Sequence, residues 1–481
     1  MAQMKRTMLA VIALVVVTTL ALGQEFSERR EIAIFQLSYY GQPAPPQDPS
    51  ITIEATGKGG GSVTIELRGT GNEQYDQLFQ RAFGAVDEEI RSVFINLGRF
   101  DVTGMTQRLT YDDVNDFIAA LQEYKEAGAE MPEAVLLGQQ AFTEADFREL
   151  VGGFIVVVPS VSWYDVVQDD DGDYEATIET SFTFINVDDL STIGQFFVET
   201  SGYDDTPQEA IRSAVDGIAS QLTFEVRSME VFQLKTGIID VAGRAVTLEF
   251  GRNMGIRVGD EYAIVQSRVT ATGHETQDET GLMVVKEVRE GFSVATLLYS
   301  TPRPVIGDQL REVPRLGADA TVYANIIQGT SRNTFVLGLK GAASRGFYRW
   351  RPIAGLEIPF IGTVLGFFVP ANFYIGAETN WYLGRLKVHP SFGLGVGGGV
   401  PTFDDPNDRF QDFYLTHFGG QVKFTTSYLV NRDVMVFFDL GYAYWAGLLE
   451  DVFGTAGSSF YGDSFFDEYG GILLGAGITF K

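Results

Sequence analysis

The chain carries three histidines, His274, His389 and His417, and no cysteine, so the groups able to serve as base, nucleophile or soft metal ligand are few. His389-Pro390-Ser391 sets an imidazole and a hydroxyl two residues apart. On a strand both fall on one face. Neither a nucleophile elbow nor a His-Glu-x-x-His zinc pair occurs. Gly57-Lys58-Gly59-Gly60-Gly61 has the composition of a phosphate loop without its spacing: no Gly-Lys-Ser/Thr follows and no helix opens after it, so it reads as a hairpin turn. Asp169-Asp170-Asp171-Gly172-Asp173 has the charge of a calcium loop but lacks the ligand pattern and closing Glu, and reads as a solvated turn. No catalytic, cofactor-binding or metal-binding residue is assigned, no cofactor is expected, and the chain reads as non-enzymatic.

What remains is position. Met1 to Gly23 joins Lys5 and Arg6 to the apolar run Met8–Leu22 and the small-x-small ending Ala21-Leu22-Gly23, a secretory signal peptide with cleavage expected before Gln24. The run is short for a bilayer-spanning helix, and no second apolar stretch of about 20 residues follows. The mature chain is therefore expected beyond the inner membrane, with neither a lipoprotein's acylated Cys nor disulfides nor thiolate metal sites. Losing Lys5 and Arg6 with the leader takes the formal net charge from −28 to −30. Such a chain repels nucleic acid and anionic lipid surfaces. Its 54 glycines and 37 phenylalanines fit a β-rich protein with barrel-like strands.

Three regions follow the leader. In residues 24–229, Ile32–Leu37 is a short apolar strand and Ile51–Arg68 a hairpin. Asn72–Leu97 is a long amphipathic helix, and Gly98-Arg99-Phe100-Asp101-Val102 turns the chain into a strand. Helices are expected at Tyr111–Tyr124 and Thr143–Leu150, then strands at Phe154–Val158, Tyr174–Val187 and Gln195–Thr200. The last helix starts with Thr206 as cap, Pro207 at the first position and Glu209 to complete a capping box. In residues 230–314, strands at Val246–Phe250, Glu261–Gln266, Gly281–Val288 and Ser293–Tyr299 are separated by glycine turns at Gly255, Gly259 and Gly307.

The order Ile32-Ala33-Ile34-Phe35, long helix, Gly98–Val102, strand Phe154–Val158, strand ending Ile185-Asn186-Val187-Asp188-Asp189 and final capped helix resembles the periplasmic fold of CsgG-type proteins, a group that includes the TolB amino-terminal domain and FlgT. Gly255-Ile256-Arg257-Val258-Gly259-Asp260 before a strand and the closing Gly307-Asp308 resemble the small SH3-like barrel of FlgT-like proteins. The resemblance implies a periplasmic α+β domain followed by a small all-β domain that docks a protein partner. The curli channel CsgG is lipidated, which this chain without cysteine cannot be, and its pore segments are not evident here. His389-Pro390-Ser391 is similar to the His-x-Ser element of outer-membrane phospholipases, whose barrels have more strands.

Residues 315–481 divide into eight alternating segments, at about 319–328, 334–342, 350–360, 371–382, 387–398, 413–428, 433–446 and 469–480. The last reads as the closing strand of an outer-membrane barrel. Ile472, Leu474, Ala476, Ile478 and Phe480 share a lipid face, and Gly471, Gly475, Gly477 and Thr479 a lumen face. An even count returns the chain to the side it entered. The turns Leu383–Leu386 and Leu429–Arg432 are short, whereas Ile361–Pro370, Gly399–Asp412 and Gly447–Glu468 are long, as outward loops are. Lys340, Asp439, His417 and Lys423 are expected inward, and Trp350, Trp381, Tyr382, Tyr428 and Trp445 at the membrane interface. Eight strands leave an interior just wide enough for side chains, so the barrel reads as an anchor more than a conduit.

The function expected is that of a non-enzymatic protein of the bacterial outer membrane whose barrel anchors periplasmic scaffold domains. The partners expected are the lipid around the barrel, periplasmic proteins and further copies of the chain, but no nucleic acid. The helix face around Glu88, Glu89 and Arg91 and the loop Phe453–Asp467 are candidate partner surfaces. The alternatives are an oligomeric secretion or transport pore, as the resemblance to the curli channel implies, and an outer-membrane hydrolase using His389 and Ser391.

Overall fold

The computed structural model describes residues 27–38, 73–109, 113–127, 155–169, 172–269, 275–329, 333–360, 368–401, 414–447 and 468–481, with short pieces between 52 and 150. The leader, the glycine cluster 57–61 and the long loops at 361–367, 402–413 and 448–467 lie outside these residues, as does most of the helix expected at 143–150. The chain divides into two units, Glu28–Phe232 and Gln233–Lys481. The division falls after Phe232 because its ring packs 5.3 Å from Phe100 and 5.2 Å from Phe184, inside the first unit's core.

In the first unit, strand β1 (Arg30–Gln36) pairs in parallel with β4 (Phe100–Arg108) and β7 (Ile155–Gln168). Antiparallel β8 (Tyr174–Asn186) and β9 (Ser191–Asp204) extend the sheet, in the order β4-β1-β7-β8-β9. The short strands β2 (Thr52–Ile53) and β3 (Val63–Thr64) pair as the expected hairpin, and β5 (Ala134–Leu137) pairs with β6 (Gln140–Thr143). Alternation along β1 sends Ile32 and Ile34 to one face, under helices α1 (Glu73–Leu97) and α3 (Pro207–Ser228), and Ala33 and Phe35 to the other, under α2 (Val114–Ala127). β7 and β9 run well beyond the segments expected, and the acidic turn between β7 and β8 closes through Asp169 N–H to Asp173 O at 2.8 Å, as a hairpin. The capping box is half made. Thr206 accepts from Glu209 N–H at 3.3 Å, but its own N–H turns to Asp204 at 3.4 Å, leaving the Glu209 carboxylate beside Arg212.

The second unit opens with a closed six-stranded barrel: β10 (Lys235–Ala242), β11 (Ala245–Leu248), β12 (Glu261–Val269), β13 (Glu275–Val288), β14 (Ser293–Ser300) and β15 (Gln309–Val313). The first and last were not foreseen in the sequence. They close the barrel, β10 pairing with both β11 and β15. β15 is short and carries Gln309, Arg311 and Glu312, so it lacks an apolar run to betray it.

Eight strands then close the large barrel: β16 (Ala318–Gln328), β17 (Asn333–Ala343), β18 (Trp350–Phe360), β19 (Phe368–Thr379), β21 (Leu386–Pro401), β22 (Tyr414–Leu429), β23 (Val434–Gly447) and β24 (Tyr469–Phe480). The chain jogs at Asn380, and a short β20 (Trp381–Leu383) pairs onto β21, where one segment had been expected. Closure joins β16 to β24, with Ala324 opposite Ala476, and β19 to β21, with Ile375 opposite Leu394. Val322, Leu339, Phe373, Leu394, Phe424 and Phe438 stand exposed outside, while Thr321, Lys423, Thr425 and Asp439 are buried inside. An apolar exterior over a polar lumen is the pattern of a membrane-spanning barrel. Trp445 corrects the expected aromatic belt. It shares the odd-numbered, inward face of β23 with Met435, Asp439 and Ala443, is fully buried, and stacks on Tyr469 inside the lumen. Tyr382 stacks on Tyr348 at 5.7 Å, beneath the small barrel. Trp350, Trp381 and Tyr428 are outward as expected.

Candidate functional site

The chemistry of this chain is concentrated inside the large barrel and at its end facing the small one. At that end Glu378, near the end of β19, collects cations from three other strands, β17, β18 and β21. Lys340 Nζ lies 3.0 Å from its carboxylate, Lys387 Nζ 3.5 Å and Arg351 Nε 3.7 Å, and Arg351 also donates to Asp319 at 2.5 Å. Midway, Glu357 accepts from the Tyr323 hydroxyl at 2.6 Å and pairs with Lys423 at 3.3 Å. Tyr323 shares a hydrogen bond with Tyr374 at 3.0 Å, and Lys423 lies over the Tyr323 ring. Thr425 donates to Asp439. Toward the far end Asn372 donates to the Tyr469 hydroxyl, and His417 meets the Tyr469 ring edge-on. Three buried acids, Asp319, Glu357 and Glu378, thus pair with four cations, Lys340, Arg351, Lys387 and Lys423, and the fourth acid, Asp439, is held by Thr425. In a medium that excludes water such groups are held only by partners of this kind.

The bulky lumen side chains are seated by glycines directly opposite them on the neighbouring strands. A Cβ on Gly338 would come within 2.2 Å of the Tyr323 ring, and one on Gly355 within 2.3 Å of Tyr374. The cavity left between Tyr323, Lys340, Tyr374, Gln421, Lys423 and Asp439 holds about one water.

The sequence-expected lumen residues Lys340, His417, Lys423 and Asp439 are all inward. His389 is inward too, but its partner is not Ser391. His389 Nε2 meets Ser427 Oγ at 2.6 Å, and its Nδ1 lies 3.4 Å from Glu378. The order Ser427, His389, Glu378 is that of a catalytic triad. Ser427 is only 1% exposed, however, and Lys387 and Lys340 crowd the same carboxylate, so a substrate carbonyl has no surface from which to reach the hydroxyl. Asp319, Arg351, Glu357, Glu378 and Lys387 were missed in the sequence reading. The signal was present in parity: Arg351, Ile353, Gly355 and Glu357 alternate with outward positions, and a charge at an inward position of an amphipathic strand marks a lumen pair.

The small barrel sits on this end of the large one. Arg315, in the linker between them, donates to Glu261 at 2.8 Å, to Asp433 at 2.6 Å and to the Arg432 carbonyl at 2.6 Å, while Lys481 pairs with the other oxygen of Glu261. Arg345 reaches Asp260 at 3.0 Å, and Gly346 N–H donates to Val258 O. Gly259 permits the approach: its φ is +87°, and a Cβ there would lie 2.1 Å from the Ser344 carbonyl. Ala263, Leu282, Val284, Leu298 and Val313 of the small barrel share one apolar cluster with Leu429 and Met435 of the large one. The two barrels are joined through a common core and a ring of ion pairs.

No protein-family model matches this chain, and no curated protein does. Among solved structures, Neisserial surface protein A (NspA) is similar over 34% of this chain and 95% of its own, at 13% identity and a TM-score of 0.23. Protein XCC0632 from Xanthomonas campestris is similar over 42% of this chain and 85% of its own, at 10% identity and a TM-score of 0.18.

Proposed function

We propose that this chain is a non-enzymatic outer-membrane protein in which the eight-stranded barrel is a closed anchor and the regions before it work in the periplasm as an assembly scaffold. The observation that carries this reading is the lumen: buried carboxylates and cations pair with one another among buried tyrosines, and the cavity between Tyr323, Lys423 and Asp439 holds about one water. A barrel so filled, with a second barrel seated on one end, holds position and passes nothing. The apolar exterior, the even strand count and the leader expected at residues 1–23 support the membrane and the orientation. The order of elements in Glu28–Phe232 supports a CsgG/FlgT-like domain, and the closed small barrel supports an SH3-like one that docks a partner.

The test is the mass of the detergent-extracted mature protein together with its single-channel conductance in a planar bilayer. A silent, heat-modifiable monomer is expected. A large conducting ring would put the secretion pore in the anchor's place.

A further inference from the structure

We infer that the outer edge of β9 and the bare sheet face beside it receive an extended, lysine- or arginine-bearing segment of a second protein, which adds as a further strand. This deepens the scaffold reading by giving the partner's chemistry, and it rests on that reading only for the compartment.

The edge comes first. Among the described residues, β9 pairs with β8 on one side and with no strand on the other. Natural edge strands are guarded by Lys, Pro or a covering element. Ser191–Asp204 contains neither Lys nor Pro. The Glu199 carbonyl points away from β8 and is taken by Gln221 Nε2 at 2.8 Å, a side-chain bond that an incoming strand replaces with its own amide. By the alternation of a strand, the backbone groups of Phe197, Ser201 and Tyr203 point the same way.

The face supplies the specificity. α3 lies so close on one side of β9 that a Cβ on Gly202 would sit 2.2 Å from the Ala210 carbonyl. The odd-numbered residues face away from that helix, and there Phe197 is 53% and Tyr203 66% exposed, with Glu199 exposed between them. Glu175 and Glu179 on β8 and Asp165 on β7 continue the same surface. No Lys, Arg or His occurs anywhere in β7, β8 or β9, and no cation pairs with Asp165, Glu175, Glu179 or Glu199 among the described residues. Aromatic rings between unneutralised carboxylates on an open edge complement a strand whose alternate residues are cationic and whose backbone completes the ladder.

The experiment uses the full detergent-extracted protein and two short probe peptides, one alternating Lys with Val and one alternating Glu with Val. The cationic probe is expected to bind about tenfold or more tightly than the acidic one, the sum of a few cross-strand charge pairs. It should also slow hydrogen exchange at the amides of residues 197–203. The double variant Phe197→Lys/Tyr203→Lys, both sites being exposed, should keep the fold and lose that preference. Ser201→Pro removes an edge-directed amide without touching the β8 ladder and should weaken binding alone. Equal affinity for the two probes, protection elsewhere, unchanged binding in the double variant, or β9 amides already protected in a self-associated protein would each overturn the inference. A conducting ring whose β9 amides respond to the cationic probe would remove the anchor reading and leave this one standing. A silent monomer with an unresponsive β9 would do the reverse.

Discussion

Arg315 holds more of the second unit together than any other single side chain described. Its guanidinium reaches Glu261 of the small barrel and Asp433 of the large one, so its removal leaves the buried Glu261 with Lys481 alone and Asp433 with Arg432 alone. Arg315→Ala is expected to destabilise the seating of the small barrel by about 1.5–3 kcal/mol, the loss of its charge-assisted hydrogen bonds. Protease sensitivity within 235–313 should rise while the large barrel keeps its heat-modifiable migration. Acid should act at the same place. Partial burial raises the Asp433 carboxyl, but the hydrogen bond and charge of Arg315 outweigh that and leave it below its ordinary value. A lowered folded value means that the stabilisation is complete at neutral pH and is lost as the pH falls below 3.8 through the folded value. Protease protection of the small barrel should therefore be less at about pH 3 than at about pH 7, and Asp433→Asn should remove that part of the difference. Inside the lumen, Glu357→Gln leaves Lys423 buried without its counter-charge. It should cost about 3–5 kcal/mol in the urea unfolding of the barrel, whereas Glu357→Gln with Lys423→Met should recover most of that loss.

At the scale of elements, what could be read from the sequence followed the strength of the period. All eight large-barrel segments stood out because an apolar outer face over a polar lumen forces strict alternation, and a slip of one residue would turn every side chain to the wrong side. Trp445 shows the limit of reading by type. Its position near a strand end suggested the interface, yet its odd number already placed it with Asp439 and Ala443 in the lumen. β10 and β15 were hidden because neither carries an alternation of its own; they are strands by virtue of the barrel they close. His389 found Ser427 on the neighbouring strand, a contact set by register and not by sequence spacing. The fit of glycine against tyrosine gives a test at this scale. Gly355→Ala drives a Cβ into the Tyr374 ring and should lower barrel stability by about 1–3 kcal/mol, read from the urea midpoint. Gly355→Ala with Tyr374→Leu should be milder than Gly355→Ala alone, because the clash is with the ring.

For the whole molecule, the cores decide what can be separated. Glu28–Phe232 closes two apolar clusters of its own, one under α1 and α3 and one under α2, and Phe232 seals the first at the boundary. The small barrel has an interior of its own around Tyr262, Met283 and Leu310, but its lower surface is half of a cluster completed by Leu429 and Met435. The first unit should thus melt by itself, and the two barrels should not be fully independent. Calorimetry of the mature protein is expected to show a transition that disappears when residues 28–232 are deleted while the remaining signal stays in place. Deleting 233–313 instead uncovers Leu429 and Met435 and leaves Asp433 without its Arg315 network aligned, so the large barrel itself should unfold at lower urea. If the first deletion shifted the barrel's transition, the two units would share stability that their separate cores do not account for. If the second left it unmoved, the common cluster would be contact without consequence, and the small barrel would be a passenger on the anchor.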